Sequence, residues 1–136
     1  MIASKNAKEV ISVEINESSH RNAKENAKRN KIENIKFYLD DAGKFIKNYD
    51  GRIDVVIMDP PRKGSDHNFL SSIMSRKIKK VIYVSCDPET LARDLKELSS
   101  MYDVTYVQPV DMFPMTAHVE TVTLLQRKDI DDRLML

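Results

Sequence analysis

Short β-branched runs alternate with longer polar–apolar segments along this chain, and that alternation limits most strongly how it can fold. Runs of the first kind predict strands, and the segments between them predict helices. The strands are predicted at 10–14, 35–39, 53–58 and 80–85, and the helices at 17–31, 42–48 and 66–77. Strands that alternate with helices form a parallel, doubly wound sheet. The run at 53–58 is apolar apart from Asp54, which predicts a central strand covered on both faces.

The last part of the chain departs from this alternation. A helix is predicted from Pro88 to about Met101, because Asp87 can cap it and proline suits the first helical position. Strands at 104–110 and 119–125 follow, and the connection between them is too short for a crossover helix. The pair is therefore predicted to be antiparallel. A mostly parallel α/β sheet with an antiparallel last strand resembles the class I (Rossmann-like) methyltransferase fold; a plain nucleotide-binding α/β domain is the alternative.

Composition excludes several classes of protein. The chain has 136 residues, with 22 Lys and Arg against 21 Asp and Glu, so net charge gives no indication of nucleic-acid binding and a basic surface must be local. The single cysteine excludes a disulfide framework and a four-cysteine metal site within the chain, and it fits a reducing compartment. We therefore expect a cytoplasmic protein. No apolar run approaches the ~20 residues that span a bilayer.

Three carboxylates lie at the carboxyl end of a predicted strand or just after it, where open α/β sheets bind their ligands. Glu14 can accept hydrogen bonds from both ribose hydroxyls of a nucleotide, or it is a solvated loop residue. Asp41 can accept from an adenine amino group, or it caps the following helix. Asp59 is followed by two prolines and Arg62. The prolines lock φ and lack N–H groups, which makes a rigid ledge beside a ligand or simply a turn.

Cys86 is placed at the end of the fourth strand, directly before a capped helix. The helix dipole favours negative charge there, and Arg62 and Arg93 can add positive charge, whereas Asp87 opposes it. A nucleophilic thiol needs such a position. The alternative is a small buried hydrophobic residue.

Glu120 is the carboxylate at the start of the last predicted strand, whose other residues are Val, Thr and Leu. It is a candidate general base that shares a face with His118 by period-two alternation. Alternatively, it is an edge-strand charge that discourages aggregation. His118 and Glu120 supply only two metal ligands, so no metal site is predicted.

Three segments, DPPRKG (59–64), YVSCDPETLARD (83–94) and DMFPMTAHVETVTLL (111–125), together resemble the RNA uracil-C5 methyltransferase family. Its members use S-adenosylmethionine to make 5-methyluridine in tRNA and rRNA. Residues 10–42 are similar to the family's cofactor-binding half. The resemblance implies a class I methyltransferase domain over residues 1–127, a tail over 128–136, and RNA (tRNA or rRNA) as partner.

The same resemblance implies a role for each candidate residue. Cys86 matches the nucleophile that adds to C6 of uracil, and Glu120 matches the base that removes the C5 proton. Glu14, Asp41 and Asp59 match positions that line the methyl-donor site. A target uridine must leave its stack to be attacked.

The lack of glycine before Gly43 departs from the family, whose members have a Gly-rich loop after their first strand. We therefore expect a catalytic fragment without that strand and loop, which binds S-adenosylmethionine weakly or undetectably. We also expect that it either self-associates through exposed strand edges or is only marginally stable. The alternatives are an RNA cytosine-C5 methyltransferase, which also needs a thiolate, and a non-catalytic α/β remnant that serves only interaction. The genomic DNA upstream of Met1 would distinguish a truncated enzyme from the remnant.

Overall fold

The predicted alternation of strands and helices is present in the computed structural model, which describes residues 2–128. A short 3-10 turn, Ala3–Lys5, precedes the first strand. The elements are β1 (Val10–Glu14), α1 (Glu17–Arg29), β2 (Ile35–Leu39), α2 (Ala42–Asn48), β3 (Val55–Met58), α3 (His67–Ser75), β4 (Lys80–Ser85), α4 (Pro88–Leu98), β5 (Tyr102–Val110) and β6 (Glu120–Arg127). They fall into two compact units, divided between Tyr49 and Asp50.

The first unit contains a two-stranded parallel sheet. β1 and β2 pair along their whole length, and α1 makes the crossover that a parallel pair requires. α1 begins because Asn16 caps it, with its side chain accepting a hydrogen bond from the backbone N–H of Ser19. Ala27 is the buried residue of α1. The carboxyl ends of β1 and β2 therefore lie at one edge of this sheet.

The second unit contains a four-stranded sheet in the order β3-β4-β6-β5. β3 and β4 are parallel, whereas β6 runs antiparallel to both β4 and β5. The predicted antiparallel pair is therefore confirmed. β6 lies between β4 and β5, so its first residue lies at the edge where β4 ends.

Strand β3 differs from the prediction in two respects. It begins at Val55 rather than Ile53, because its pairing with β4 starts only at Val55, opposite Lys80. The prediction of a central strand covered on both faces was wrong. Within residues 2–128, β3 has only β4 as a strand neighbour, and Val55 and Ile57 are 44% and 57% exposed. An apolar run indicates a preference for burial but does not specify what covers it.

The core of the second unit lies on one face of its central strands. β4 and β6 alternate in burial, and the buried side chains on them include Val81, Tyr83, Thr123 and Leu125. Helix α4 buries Leu91, Asp94 and Leu98, and Leu95 is half-buried. A buried aspartate on a helix face requires partners, and these are part of the site described below.

The predicted tail, 128–136, lies outside the described residues except for Lys128. In the part of the chain that is described, none of the helices is sufficiently long and apolar to span a membrane.

Candidate functional site

Three neighbouring strands of the second sheet bring candidate residues to one edge. β3 and β4 end at this edge, where Asp59 and Cys86 follow them, and β6 begins here with Glu120. The last matched pair of β4 and β6 is Ser85 with Thr121. Cys86 directly follows β4, and Glu120 is the first residue of the adjacent strand β6, so each is one residue beyond that pair. The structure therefore places Asp59, Cys86 and Glu120 at a common edge.

Cys86 is a free, half-buried cysteine between β4 and α4. The Ser85 side chain fixes the backbone around it: its hydroxyl donates to the Asp87 carbonyl oxygen at 2.8 Å, and the Asp87 N–H donates to the Ser85 oxygen at 3.0 Å. A partly exposed thiol at a helix N-terminus differs from a cysteine that fills a core. The interpretation of Cys86 as a buried hydrophobic residue is therefore less favoured.

Asp87 is the N-cap of α4, as the sequence predicted. Its Oδ1 accepts hydrogen bonds from the backbone N–H groups of Glu89 and Thr90, both at 3.0 Å. The pKa of the Asp87 carboxyl is lowered, chiefly by the Thr90 N–H bond, and the positive charge of Arg62 contributes a smaller effect. The charge of Asp87 is thus balanced in part by the helix terminus and in part by Arg62.

Arg62 connects the segment after β3 with the segment before β6. One guanidinium nitrogen, Nη2, is 3.4 Å from His118 Nε2. A guanidinium can only donate, so this contact is a hydrogen bond when Nε2 is the unprotonated ring nitrogen. The positive charge of Arg62 also acts on the carboxylate of Asp87, next to Cys86. Arg62 therefore connects the three predicted motifs, which are residues 59–64, 83–94 and 111–125.

His118 does not share a strand face with Glu120, which corrects the prediction from alternation. The ladder of β6 begins only at Glu120. His118 instead belongs to the preceding turn, where its N–H donates to the Thr116 hydroxyl at 3.2 Å. The residue is exposed and Glu120 is half-buried. Period-two alternation holds only within a strand, so it could not relate these two side chains.

Arg93 does not have the free charge that the sequence suggested. Its Nε and Nη2 donate to Asp94 Oδ1 at 2.9 and 2.8 Å, and Nη2 also donates to the Lys63 carbonyl oxygen at 2.9 Å. The hydrogen bond to Asp94 is the main reason that the pKa of Arg93 is raised. Arg93 therefore binds the segment after β3.

Asp94 is the important residue that sequence reasoning missed. It is 2% exposed, and its Oδ2 accepts from the Ser65 N–H and the Tyr83 hydroxyl, both at 2.7 Å. Burial, and secondarily the bond to Asp94, raises the pKa of Tyr83. Helical spacing could have identified Asp94, because it lies three residues after Leu91 and four before Leu98 on the buried face.

Glu14 and Asp41 lie at one edge of the first sheet. Glu14 ends β1, its Oε1 accepts from the Asn16 N–H at 2.8 Å, and its carbonyl oxygen accepts from the Asp40 N–H at 3.1 Å. Asp41 caps α2 by accepting from the Lys44 N–H at 2.9 Å, so the capping role that the sequence left open is observed. Each carboxylate still has an oxygen with lone pairs for a ligand.

The side chains at the two sheet edges determine which kinds of ligand each edge can bind. Within residues 2–128, no group of three or more His, Cys, Asp or Glu side chains is arranged to hold a metal ion. Carboxylates at the ends of parallel strands suit the hydroxyl and amino groups of a nucleoside. Glu14, Asp41 and Asp59 each have this position, the first two in one unit and the third in the other.

Comparison with known proteins gives consistent matches. Residues 1–128 match the family model described as tRNA (Uracil-5-)-methyltransferase. An uncharacterized RNA methyltransferase of Clostridium acetobutylicum is 50% identical over 133 residues, which are 95% of this chain and 29% of that protein. One from Listeria innocua is 48% identical over 124 residues, which are 89% of this chain and 27% of that protein. The chain thus spans well under a third of the length of these curated relatives.

Solved structures are similar in fold. The tRNA (uracil-54, C5)-methyltransferase of Pyrococcus abyssi, in complex with S-adenosyl-L-homocysteine, has a TM-score of 0.78 and 33% identity, covering 90% of this chain and 30% of that one. An rRNA methylase from Streptococcus thermophilus has a TM-score of 0.68 at 14% identity, covering 90% of this chain and 75% of that one, which indicates the fold alone. The predicted class I methyltransferase fold is confirmed.

Proposed function

Because the chain belongs to the tRNA (uracil-5-)-methyltransferase family, we propose that it contributes the catalytic part of an enzyme that methylates C5 of a uridine in tRNA or rRNA, with S-adenosylmethionine as methyl donor. The observation that carries this proposal is the position of Cys86 and Glu120. They lie one residue beyond the last matched pair of two adjacent strands. A nucleophile and a base at one sheet edge can act on the two neighbouring carbons of one ring.

C5 of uracil is a weak nucleophile, and the proposed role of Cys86 is to activate it. The Cys86 thiolate adds to C6, the C5–C6 double bond opens, and the electron pair is delocalised over C5 and the C4 carbonyl oxygen as an enolate. C5 can then form a bond to an electrophilic carbon. This is covalent catalysis, in which one difficult step becomes two easier steps.

Glu120 completes the cycle in this proposal. Once C5 carries both a methyl group and its original hydrogen, the Glu120 carboxylate removes the hydrogen as a proton. The electron pair of that C–H bond re-forms the C5–C6 double bond and expels the Cys86 thiolate. Glu120 is half-buried at the start of β6, which suits a base that must be close to the ring but able to pass its proton to water.

The residues proposed to hold the methyl donor are Glu14, Asp41 and Asp59. When bound, S-adenosylmethionine would supply an electrophilic methyl group; its bond to the sulfonium sulfur breaks as C5 takes the methyl group, and the sulfur leaves as a neutral thioether. Glu14 can accept from ribose hydroxyls and Asp41 from an adenine amino group. Asp59 is exposed at the end of β3, where it can accept a hydrogen bond from the methyl donor or from the uracil ring. The bound S-adenosyl-L-homocysteine of the P. abyssi enzyme supports this choice of cofactor.

RNA is the proposed partner, and the cytoplasm is the proposed location, because a free thiol nucleophile requires a reducing compartment. Arg62 is an exposed cation whose charge acts on Asp87, the residue after the proposed nucleophile, so it is a candidate to contact the negative backbone of an unstacked uridine.

Self-association through strand edges is also part of the proposal. The outer edge of β3 has no strand partner among residues 2–128, and Ile57 on it is 57% exposed. Such edges recruit other strands. We expect light scattering on the 136-residue chain to give a mass above that of a monomer, and Ile57→Lys to lower it. A monomeric wild-type chain would exclude this part of the proposal.

The function is tested by analysis of the methylated nucleoside. The chain, and a chimera in which it replaces the matching region of the C. acetobutylicum relative, are incubated with unmodified tRNA or rRNA and isotope-labelled S-adenosylmethionine. Digestion and mass spectrometry should then identify labelled 5-methyluridine. Labelled 5-methylcytidine would instead support the cytosine alternative, and no labelled nucleoside from either protein would support the non-catalytic remnant.

A further inference from the structure

The loop between β3 and α3, residues 59–66, is held by side chains of α4. The Thr90 hydroxyl donates to the Arg62 carbonyl oxygen at 2.9 Å, and Arg93 Nη2 donates to the Lys63 carbonyl oxygen at 2.9 Å. The Ser65 N–H donates to Asp94 Oδ2 at 2.7 Å. None of these α4 side chains has a role in the proposed chemistry. The loop backbone is therefore anchored from a helix that begins next to the proposed nucleophile.

The anchor itself is rigid. Asp94 is buried, and it also accepts from the Tyr83 hydroxyl on β4 and twice from the Arg93 guanidinium. Both Arg93 nitrogens donate to Oδ1, while Oδ2 accepts from Tyr83 and Ser65, so both carboxylate oxygens are held in place, and the charge-assisted bonds are the stronger kind. The loop approaches so closely that only glycine fits at position 64, where φ is +78° and an added Cβ would lie 2.7 Å from Asp94 Oδ2.

The loop carries two residues of the proposed site, Asp59 and Arg62. Pro60 and Pro61 separate them and lock φ, so a displacement at the Arg62 carbonyl is transmitted along a stiff segment. Cys86 directly precedes the cap of α4, the helix that holds the loop. The same helix therefore sets the position of both sides of the site.

We propose that Thr90 and Arg93 are positioning residues, which fix the loop of residues 59–66 against α4 and thereby set where Asp59 and Arg62 stand relative to Cys86. This inference rests on the proposed function, because it concerns the geometry of that reaction. Displacement of a reacting group by about 1 Å can cost on the order of 100-fold in rate. Loss of one anchoring bond should therefore lower kcat without unfolding the protein.

The test uses three matched changes on α4. Thr90→Val removes the hydroxyl, with its longer contacts to Asp87 at 3.3 and 3.4 Å, but keeps the side-chain shape and the N–H that binds Asp87. Thr90→Ser restores the hydroxyl, and Lys96→Ala removes an exposed cation farther along the helix. We expect Thr90→Val to speed hydrogen exchange of the Ser65 amide about fivefold and to lower kcat about tenfold. Thr90→Ser and Lys96→Ala should leave both quantities near wild type.

Arg93→Lys extends the test, because it keeps the charge but loses the forked geometry that binds Asp94 and Lys63 together. It should have the same two effects as Thr90→Val, with the midpoint of urea unfolding close to that of Lys96→Ala. Exchange is measured on the 136-residue chain, and kcat on the chain and on the chimera.

Each outcome decides the proposal. Unchanged Ser65 exchange in both Thr90→Val and Arg93→Lys would overturn it, because the loop would then be held by other contacts. Faster exchange with unchanged kcat would also overturn it, because the loop would not position reacting groups. An active wild type with unaffected variants would reject the positioning role alone. A wild type that transfers no methyl group in either protein would reject the proposed function, and the positioning role with it.

Discussion

Cys86→Ser is expected to lower methyl transfer to uridine by at least about a thousandfold while leaving the affinity for S-adenosylmethionine nearly unchanged. A serine hydroxyl is hardly ionised near pH 7, whereas a thiol ionises in part and is intrinsically more nucleophilic. The replacement alters one atom in a segment that the Ser85–Asp87 hydrogen bonds hold in place. The measurement is the rate of label transfer by the chimera, with calorimetric titration of the methyl donor on the same protein.

The control for this prediction is Ser85→Ala, which removes the neighbouring hydroxyl while retaining the thiol. It should reduce the rate far less than Cys86→Ser, because it loosens the backbone but keeps the nucleophile. Wild-type turnover in Cys86→Ser would rule out a covalent mechanism through this residue.

Glu120→Gln is expected to stop the reaction after the methyl group has been transferred. The amide keeps the size of the side chain, but it cannot take up the C5 proton, so elimination of Cys86 is blocked. A covalent protein–RNA species should accumulate and appear on denaturing gels as a band of lower mobility. It should be absent when Glu120→Gln is combined with Cys86→Ser.

Glu89→Gln provides a matched comparison, because it makes the same chemical change at an exposed carboxylate in the first turn of α4. It should turn over normally and form no lasting adduct. Near-normal rates in Glu120→Gln, with no adduct, would assign Glu120 a structural role at the start of β6.

The sequence predicted local structure well where local chemistry determines it. The bounds of β2, α2 and β4 agree with the prediction, and the caps at Asp41 and Asp87 are observed. A capping side chain acts on N–H groups two or three residues away, so its partners can be identified from the sequence. The short connection after β5 likewise predicted an antiparallel pair, since it leaves no room for a crossover.

The sequence was less informative where contacts between residues far apart in the chain determine the structure. The pattern of β3 indicated burial, but its neighbours depend on how the sheet is assembled, and two of its apolar side chains are exposed. Arg93 and Asp94 are adjacent in sequence, yet their function depends on Lys63 and Ser65, about 30 residues earlier. Alternation also failed for His118, because the first residue of β6 is set by pairing with β4 and β5.

The mass of the tryptic peptide that contains Cys86, residues 81–93, tests the central claim most directly. The chimera that carries Glu120→Gln is incubated with RNA and S-adenosylmethionine, and both the RNA and the protein are then digested. We expect this peptide to gain the mass of one methylated uridine nucleotide, with fragmentation locating the addition at Cys86. A nucleotide attached to another residue, with this peptide unmodified, would contradict the assignment of Cys86 as the nucleophile.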